Sequence, residues 1–265
     1  MSPTRKGYVA LDHGQVHYRE AGNGLCLVFL HQAAGDSRAF EPVIDLLAGG
    51  YRCVAIDLPG FGRSDYAPEA LAVPGYAAVV LQTLDTLNVD RAGLFGQHGG
   101  AAVAAEIAAS QPERVERLIL SGSPLYTKEQ GEANLAGFPR LVLKEDGSHL
   151  IDFYTYMATW TPPKDDAEAK AMTYELVGRL RPGPRNVEAY AAAFTYDLEA
   201  SLRRIAAPTL VLAGEKAPGV KDVEPVCSFL ADARSAIVPN VGNWLEAEPR
   251  VLADIVRDFL EEDRP

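Results

Sequence analysis

The chain has 265 residues, 48% of them hydrophobic, and a formal net charge of −11. That length and apolar content suit one large domain with a substantial core, and the acidic balance argues against nucleic acid or anionic membrane surfaces as partners. No apolar run approaches the roughly 20 residues that span a bilayer. The N-terminus leads straight into polar, strand-like sequence, so no secretory leader is expected. Cys26, Cys53 and Cys227 are far apart and odd in number, which fits buried thiols in a reducing cytoplasm rather than a disulfide or zinc framework.

Residues 7–11 and 15–20 flank Asp12-His13-Gly14, a hairpin signal. The continuous apolar run over 25–30 predicts a strand covered on both faces. A helix is expected over 38–48 and a strand over 51–56. The strand leads into the turn-rich Asp57-Leu58-Pro59-Gly60-Phe61-Gly62-Arg63-Ser64. An amphipathic helix is expected over 76–87, a strand over 92–95, a helix over 101–110 and a strand over 115–121. After Ser123-Pro124 the alternation stops. Residues 124–205 read as helical and aromatic-rich, and strand-helix alternation then resumes over 208–213, 220–231, 235–238 and 249–262. This pattern predicts a doubly covered sheet, with a core formed by residues 1–123 and 206–265 and a helical cap over 124–205.

Gly96-Gln97-His98-Gly99-Gly100 lies between a short strand and an alanine-rich helix. It has the frame of the G-x-S-x-G elbow, in which glycines flank a nucleophile on a strained turn. Here the central residue is His98.

Together with His31-Gln32-Ala33-Ala34-Gly35, the 57–64 loop, Pro208–Glu215 and Val241–Pro249, this segment resembles the α/β-hydrolase fold superfamily, especially its small capped bacterial members. The resemblance covers nearly the whole chain. It implies an α/β fold with a mostly parallel eight-stranded sheet, helices on both faces and an inserted cap. It also implies an oxyanion hole at the backbone N–H groups of Ala33 and Gly99. The family's triad does not carry over. Its nucleophile position holds His98, its acid position Ala217 and its histidine position Asn243, and no histidine follows residue 149.

The candidate catalytic residues are therefore His98, Asn243 and His31. His98 suits acid–base work near neutral pH. Asn243 offers an amide that orients a carbonyl or a water. His31 occupies the loop histidine position, where bracing hydrogen bonds weigh more heavily. Gln32, Gln97, Tyr126, His149, Phe153, Tyr154, Trp160, Tyr190, Phe194 and Trp244 are candidates for the substrate wall, and the cap aromatics suggest a roomy roof over His98.

With all three triad roles changed, the expectation is a cofactor-free, non-hydrolytic enzyme. Lyase chemistry or C–C bond formation and cyclisation, on a bulky natural-product intermediate in secondary metabolism, would use the oxyanion hole and a histidine base. The alternatives are a non-catalytic small-molecule binder and a hydrolase with a relocated triad. No dinucleotide fingerprint, phosphate loop or metal spacing is present in the sequence. The expected partner is a small molecule, with the chain a monomer or homodimer.

Overall fold

The computed structural model describes residues 4–160, 162–242 and 248–262. The hairpin signal produces β1 (Arg5–Leu11) and β2 (Gly14–Ala21), paired antiparallel. The apolar runs become β3 (Leu25–Leu30), β4 (Tyr51–Ile56), β5 (Ala92–Gln97), β6 (Val115–Ser121), β7 (Thr209–Gly214) and β8 (Ala233–Val238). Among the described residues these form one eight-stranded sheet in the order β1-β2-β4-β3-β5-β6-β7-β8. Only the β1–β2 and β2–β4 pairings are antiparallel. The other pairings are parallel, as the crossover helices between strands require.

Strand side chains alternate between two apolar layers. Val28, Leu30, Leu94, Leu118 and Leu120 enter one layer, together with α2 (Val73–Thr86) and α3 (Gly99–Ser110). Leu27, Phe29, Phe95 and Ile119 enter the other, against α1 (Glu41–Leu47) and α10 (Pro249–Glu261). Ala101, Ala102, Ala104, Ala105 and Ala108 are all buried, and their small side chains let α3 lie close to the sheet. Helix α2 begins earlier than its amphipathic stretch suggests, because Pro74 sits in its first turn, where a missing N–H costs nothing.

Between β6 and β7 the chain forms α4 (Lys128–Gly137), α5 (Ser148–Trp160), α6 (Asp166–Leu180), α7 (Glu188–Phe194) and α8 (Leu198–Leu202). These helices make up the inserted cap and its return to the sheet. Helix α9 (Val223–Phe229) then precedes β8.

The loop after β4 is fixed by a buried carboxylate. Asp57 accepts from the Ser37 N–H at 2.6 Å and the Arg63 N–H at 2.8 Å, and pairs with His17 Nδ1 at 2.8 Å. Ser64 Oγ donates to the Asp57 carbonyl at 2.6 Å and accepts from the His17 N–H at 2.9 Å. Burial raises the Asp57 pKa, but the His17 hydrogen bond, the nearby His31 ring and the Ser37 bonds outweigh it. The group is held well below the usual carboxylate range. This cluster ties β2, the 57–64 loop and the start of the 37–40 turn together beneath the site.

Candidate active site

β5 ends at Gln97 and α3 starts at Gly99, so His98 alone makes the turn. Its backbone lies at φ +47° and ψ −112°, a conformation that residues other than glycine adopt only under constraint. The constraint is a set of backbone bonds: the His98 N–H donates to Ser121 O at 2.8 Å, and the His98 carbonyl accepts from Ala101 N–H at 2.9 Å. The turn raises the imidazole at the carboxyl ends of the parallel strands, where open α/β sheets bind their ligands.

The ring rests against Gly122, just past β6. Gly122 sits at φ +58°, and any side-chain carbon there would collide with the His98 ring. The Gly122 backbone beside the ring favours its protonated form. Burial is the largest influence on the His98 pKa and moves it below the ordinary histidine value. Glu175 and the Gly122 backbone oppose that shift, and Arg179 adds to it. At neutral pH the ring is a free base.

Glu175 and Arg179, on α6, lie near enough for their charges to act on His98. They form a near-buried pair, with Arg179 Nε at 3.0 Å and Nη2 at 2.5 Å from Glu175 Oε1. The Arg179 guanidinium also lies over the rings of Tyr190, at 5.0 Å, and Phe138, at 5.9 Å. Burial disfavours its charge, but Tyr190 and Glu175 outweigh that and keep it firmly protonated. Among the described residues its Nη1 is buried without a hydrogen-bond partner. Sequence reasoning missed this pair. A Glu and an Arg four residues apart on a helix usually mark a solvated face.

The loop after β3 faces the elbow. A side chain built on Gly99 would touch the Ala33 amide nitrogen at 3.3 Å, which places the start of α3 beside that amide. Helix α6 lies on the same loop. Gly178 has no side chain, and a side-chain carbon there would collide with the Ala34 carbonyl oxygen. Tyr190, from α7, donates its hydroxyl to the Ala33 carbonyl at 3.0 Å.

The remaining candidates separate clearly. His31 is fully buried, with Nδ1 2.7 Å from Gln32 O and Nε2 accepting from Leu58 N–H at 2.9 Å. Both nitrogens brace the loop, so the structure gives this ring no catalytic nitrogen to offer. Gln32 lies in that loop, half-buried, and Gln97 is buried at the last position of β5. His149 is spent at the start of α5, where Nδ1 accepts from Lys144 N–H at 3.2 Å. Phe153 is buried, whereas Tyr154 is exposed on the outside of α5. Asn243, Trp244 and the side chain of Trp160 lie outside the described residues.

The expected roomy roof is not what the cap aromatics build. Phe138 stacks on Tyr190 with centroids 4.0 Å apart, and Phe194 packs against Phe138 at 6.2 Å and Tyr126 at 5.7 Å. These rings pack against one another, and the Arg179 guanidinium lies over two of them. Two clefts of about 260 Å³ lie elsewhere. One is lined by Tyr66, Tyr76 and Arg185, between the 59–71 loop and the cap. The other lies beside Cys26 and Arg117 at the opposite end of the sheet.

Residues 26–242 match the family model for the alpha/beta hydrolase fold. A provisionally named non-heme haloperoxidase of Mycobacterium phage D29 is 26% identical over 266 residues, covering 94% of this chain and 92% of the phage protein. A 2-hydroxy-6-oxononadienedioate/2-hydroxy-6-oxononatrienedioate hydrolase of Cupriavidus pinatubonensis is 28% identical, covering 93% of this chain and 90% of its own. The crystal structure of the enol-lactonase from Burkholderia xenovorans superposes with a TM-score of 0.81 at 20% identity, covering 97% of this chain and 100% of the enol-lactonase. These similarities overturn the expectation of a lyase or cyclase that forms C–C bonds in natural-product biosynthesis. The similar proteins are named as a hydrolase, an enol-lactonase and a haloperoxidase, and none of these three for forming C–C bonds. The elbow, the facing loop, the sheet order and the matched family model agree, and the chain belongs to the α/β-hydrolase fold family.

Proposed function

We propose that the protein is a hydrolase for a small ester or lactone that carries a carboxylate, with His98 in place of the family's serine. The observation that carries this reading is Arg179 Nη1, buried and unpartnered among the described residues, in an ion pair whose charges act on His98. A buried guanidinium nitrogen without a partner is a costly group, and a substrate carboxylate would satisfy it with a charge-assisted hydrogen bond. The similar protein of Cupriavidus is itself named for a dioate.

In this reading the free imidazole nitrogen of His98 takes a proton from water. The water oxygen attacks the carbonyl carbon, and the C–O bond to the leaving group then breaks. His98 returns the proton to the leaving oxygen. The Ala33 and Gly99 N–H groups hold the developing oxyanion. The sequence resemblance sets Ala217 and Asn243 at the family's acid and histidine positions, so in this reading the reaction uses neither.

Those two replacements also favour a second reading, in which the same site binds an acidic molecule without turning it over. Hydrolysis of p-nitrophenyl hemisuccinate against p-nitrophenyl acetate separates the two. The hydrolase reading expects the acidic ester to be preferred. Arg179→Met is expected to raise KM for that ester, relative to the neutral ester, by about 10- to 100-fold, the size of one lost hydrogen bond to a charged group. Binding of succinate by calorimetry with no ester turnover identifies a binder. Equal handling of the two esters refutes the role given to Arg179.

A further inference from the structure

The loop that carries Ala33 is a tight turn of unusual composition. Gly35 N–H donates to Gln32 O at 2.8 Å, which closes a turn over Gln32-Ala33-Ala34-Gly35. Ala34 sits at φ +66°, while Ala33 is not among the residues with positive φ. This is a type II turn with alanine at the third position, where glycine or asparagine is normally needed. Alanine at that place prefers the type I turn, which differs by a flip of the peptide between Ala33 and Ala34. The local sequence therefore favours the conformation that is absent.

Two cap contacts meet this same peptide and the next. The Tyr190 hydroxyl donates to the Ala33 carbonyl at 3.0 Å, and the Ala34 carbonyl reaches α6 at Gly178, where no side chain fits. Burial raises the Tyr190 pKa, so its hydroxyl keeps its proton and can donate. A flip would turn the Ala33 carbonyl away from Tyr190 and break the bond.

We propose that Tyr190 is a positioning residue that holds the 32–35 loop in its type II turn, so that the loop takes its active shape only while the cap is seated. The functional consequence rests on the hydrolase reading above. The flipped peptide directly follows the Ala33 amide, and its reversed dipole would act on the oxyanion. The bond itself does not depend on any reaction.

The test uses Tyr190→Phe in the full chain, which keeps the ring stacked on Phe138 and removes only the hydroxyl. Nuclear Overhauser contacts report the turn without any substrate. The wild type is expected to show a strong Ala33 Hα to Ala34 H–N contact, the mark of type II. In Tyr190→Phe this contact is expected to weaken in favour of an Ala33 H–N to Ala34 H–N contact. Adding Ala34→Gly, which accepts positive φ freely, is expected to restore the first pattern. On p-nitrophenyl hemisuccinate, kcat is expected to fall about tenfold in Tyr190→Phe with KM nearly unchanged, and to recover in the double variant. An unchanged turn in Tyr190→Phe overturns the proposal, and so does a flipped turn that Ala34→Gly fails to restore. A wild type without esterase activity refutes the hydrolase reading alone, because the backbone contacts still decide this one.

Discussion

Replacing His98 by alanine is expected to lower kcat for the acidic ester by about 10²- to 10⁴-fold, the range for removing a general base. His98→Gln is expected to fail similarly, because an amide keeps hydrogen-bonding capacity but cannot exchange a proton near pH 7. The pH profile adds a direction. The base form is the active one, so the rate falls as pH drops through the His98 pKa. Burial moves that pKa downward, so the acid limb should lie below the ordinary histidine value of about 6.5. The same shift is linked to stability. The unfolded chain binds the proton more readily than the fold does, so the fold loses stability as pH falls through the unfolded value. A stopped assay series from pH 5 to 8 measures the limb. Full turnover in both variants would remove His98 from the mechanism.

The second large effect lies beneath the site. Asp57→Asn is expected to cost about 3 kcal/mol, typical of breaking a buried charged pair, and to lower Tm by roughly 6–12 °C. The amide keeps the volume but cannot serve His17, Ser37 N–H and Arg63 N–H together as the carboxylate does. The folded pKa of Asp57 lies below its unfolded value of about 4. Its contribution is therefore complete above that unfolded value and is lost as pH falls toward the folded one. Urea melts at pH 7 and pH 3.5 should show the gap between wild type and variant shrinking in acid. An equal gap at both values would mean that Asp57 acts through shape rather than charge.

Much of this architecture was legible from local pattern. The run Leu25–Leu30 and the segments Tyr51–Ile56 and Val115–Ser121 are strands with the expected bounds, because a strand buried on both faces leaves an unbroken apolar run. Helix α2 was read late, since Pro74 and Gly75 look like breakers until the proline is placed in the first turn. The elbow was legible because its glycines are a local demand. The Glu175–Arg179 pair was not, because nothing within a helix tells which tertiary neighbour it will face. One hint was present: Gly178 interrupts α6 beside Arg179, and an interior helix glycine often marks a close backbone approach. His31 was read as a possible catalyst because its nitrogens' partners, Gln32 O and Leu58 N–H, become visible only in the fold.

The order of synthesis bears on His98 in its own way. The strand and turn that raise its ring are made early, but the groups that tune it come later in the chain: Gly122 first, then Glu175 and Arg179. A nascent chain halted after α3 would lack both the Gly122 contact and much of the burial that lowers the His98 pKa. In the hydrolase reading, reactivity at this turn therefore awaits emergence of the cap from the ribosome, and a partly made chain would carry the frame of the site without its chemistry.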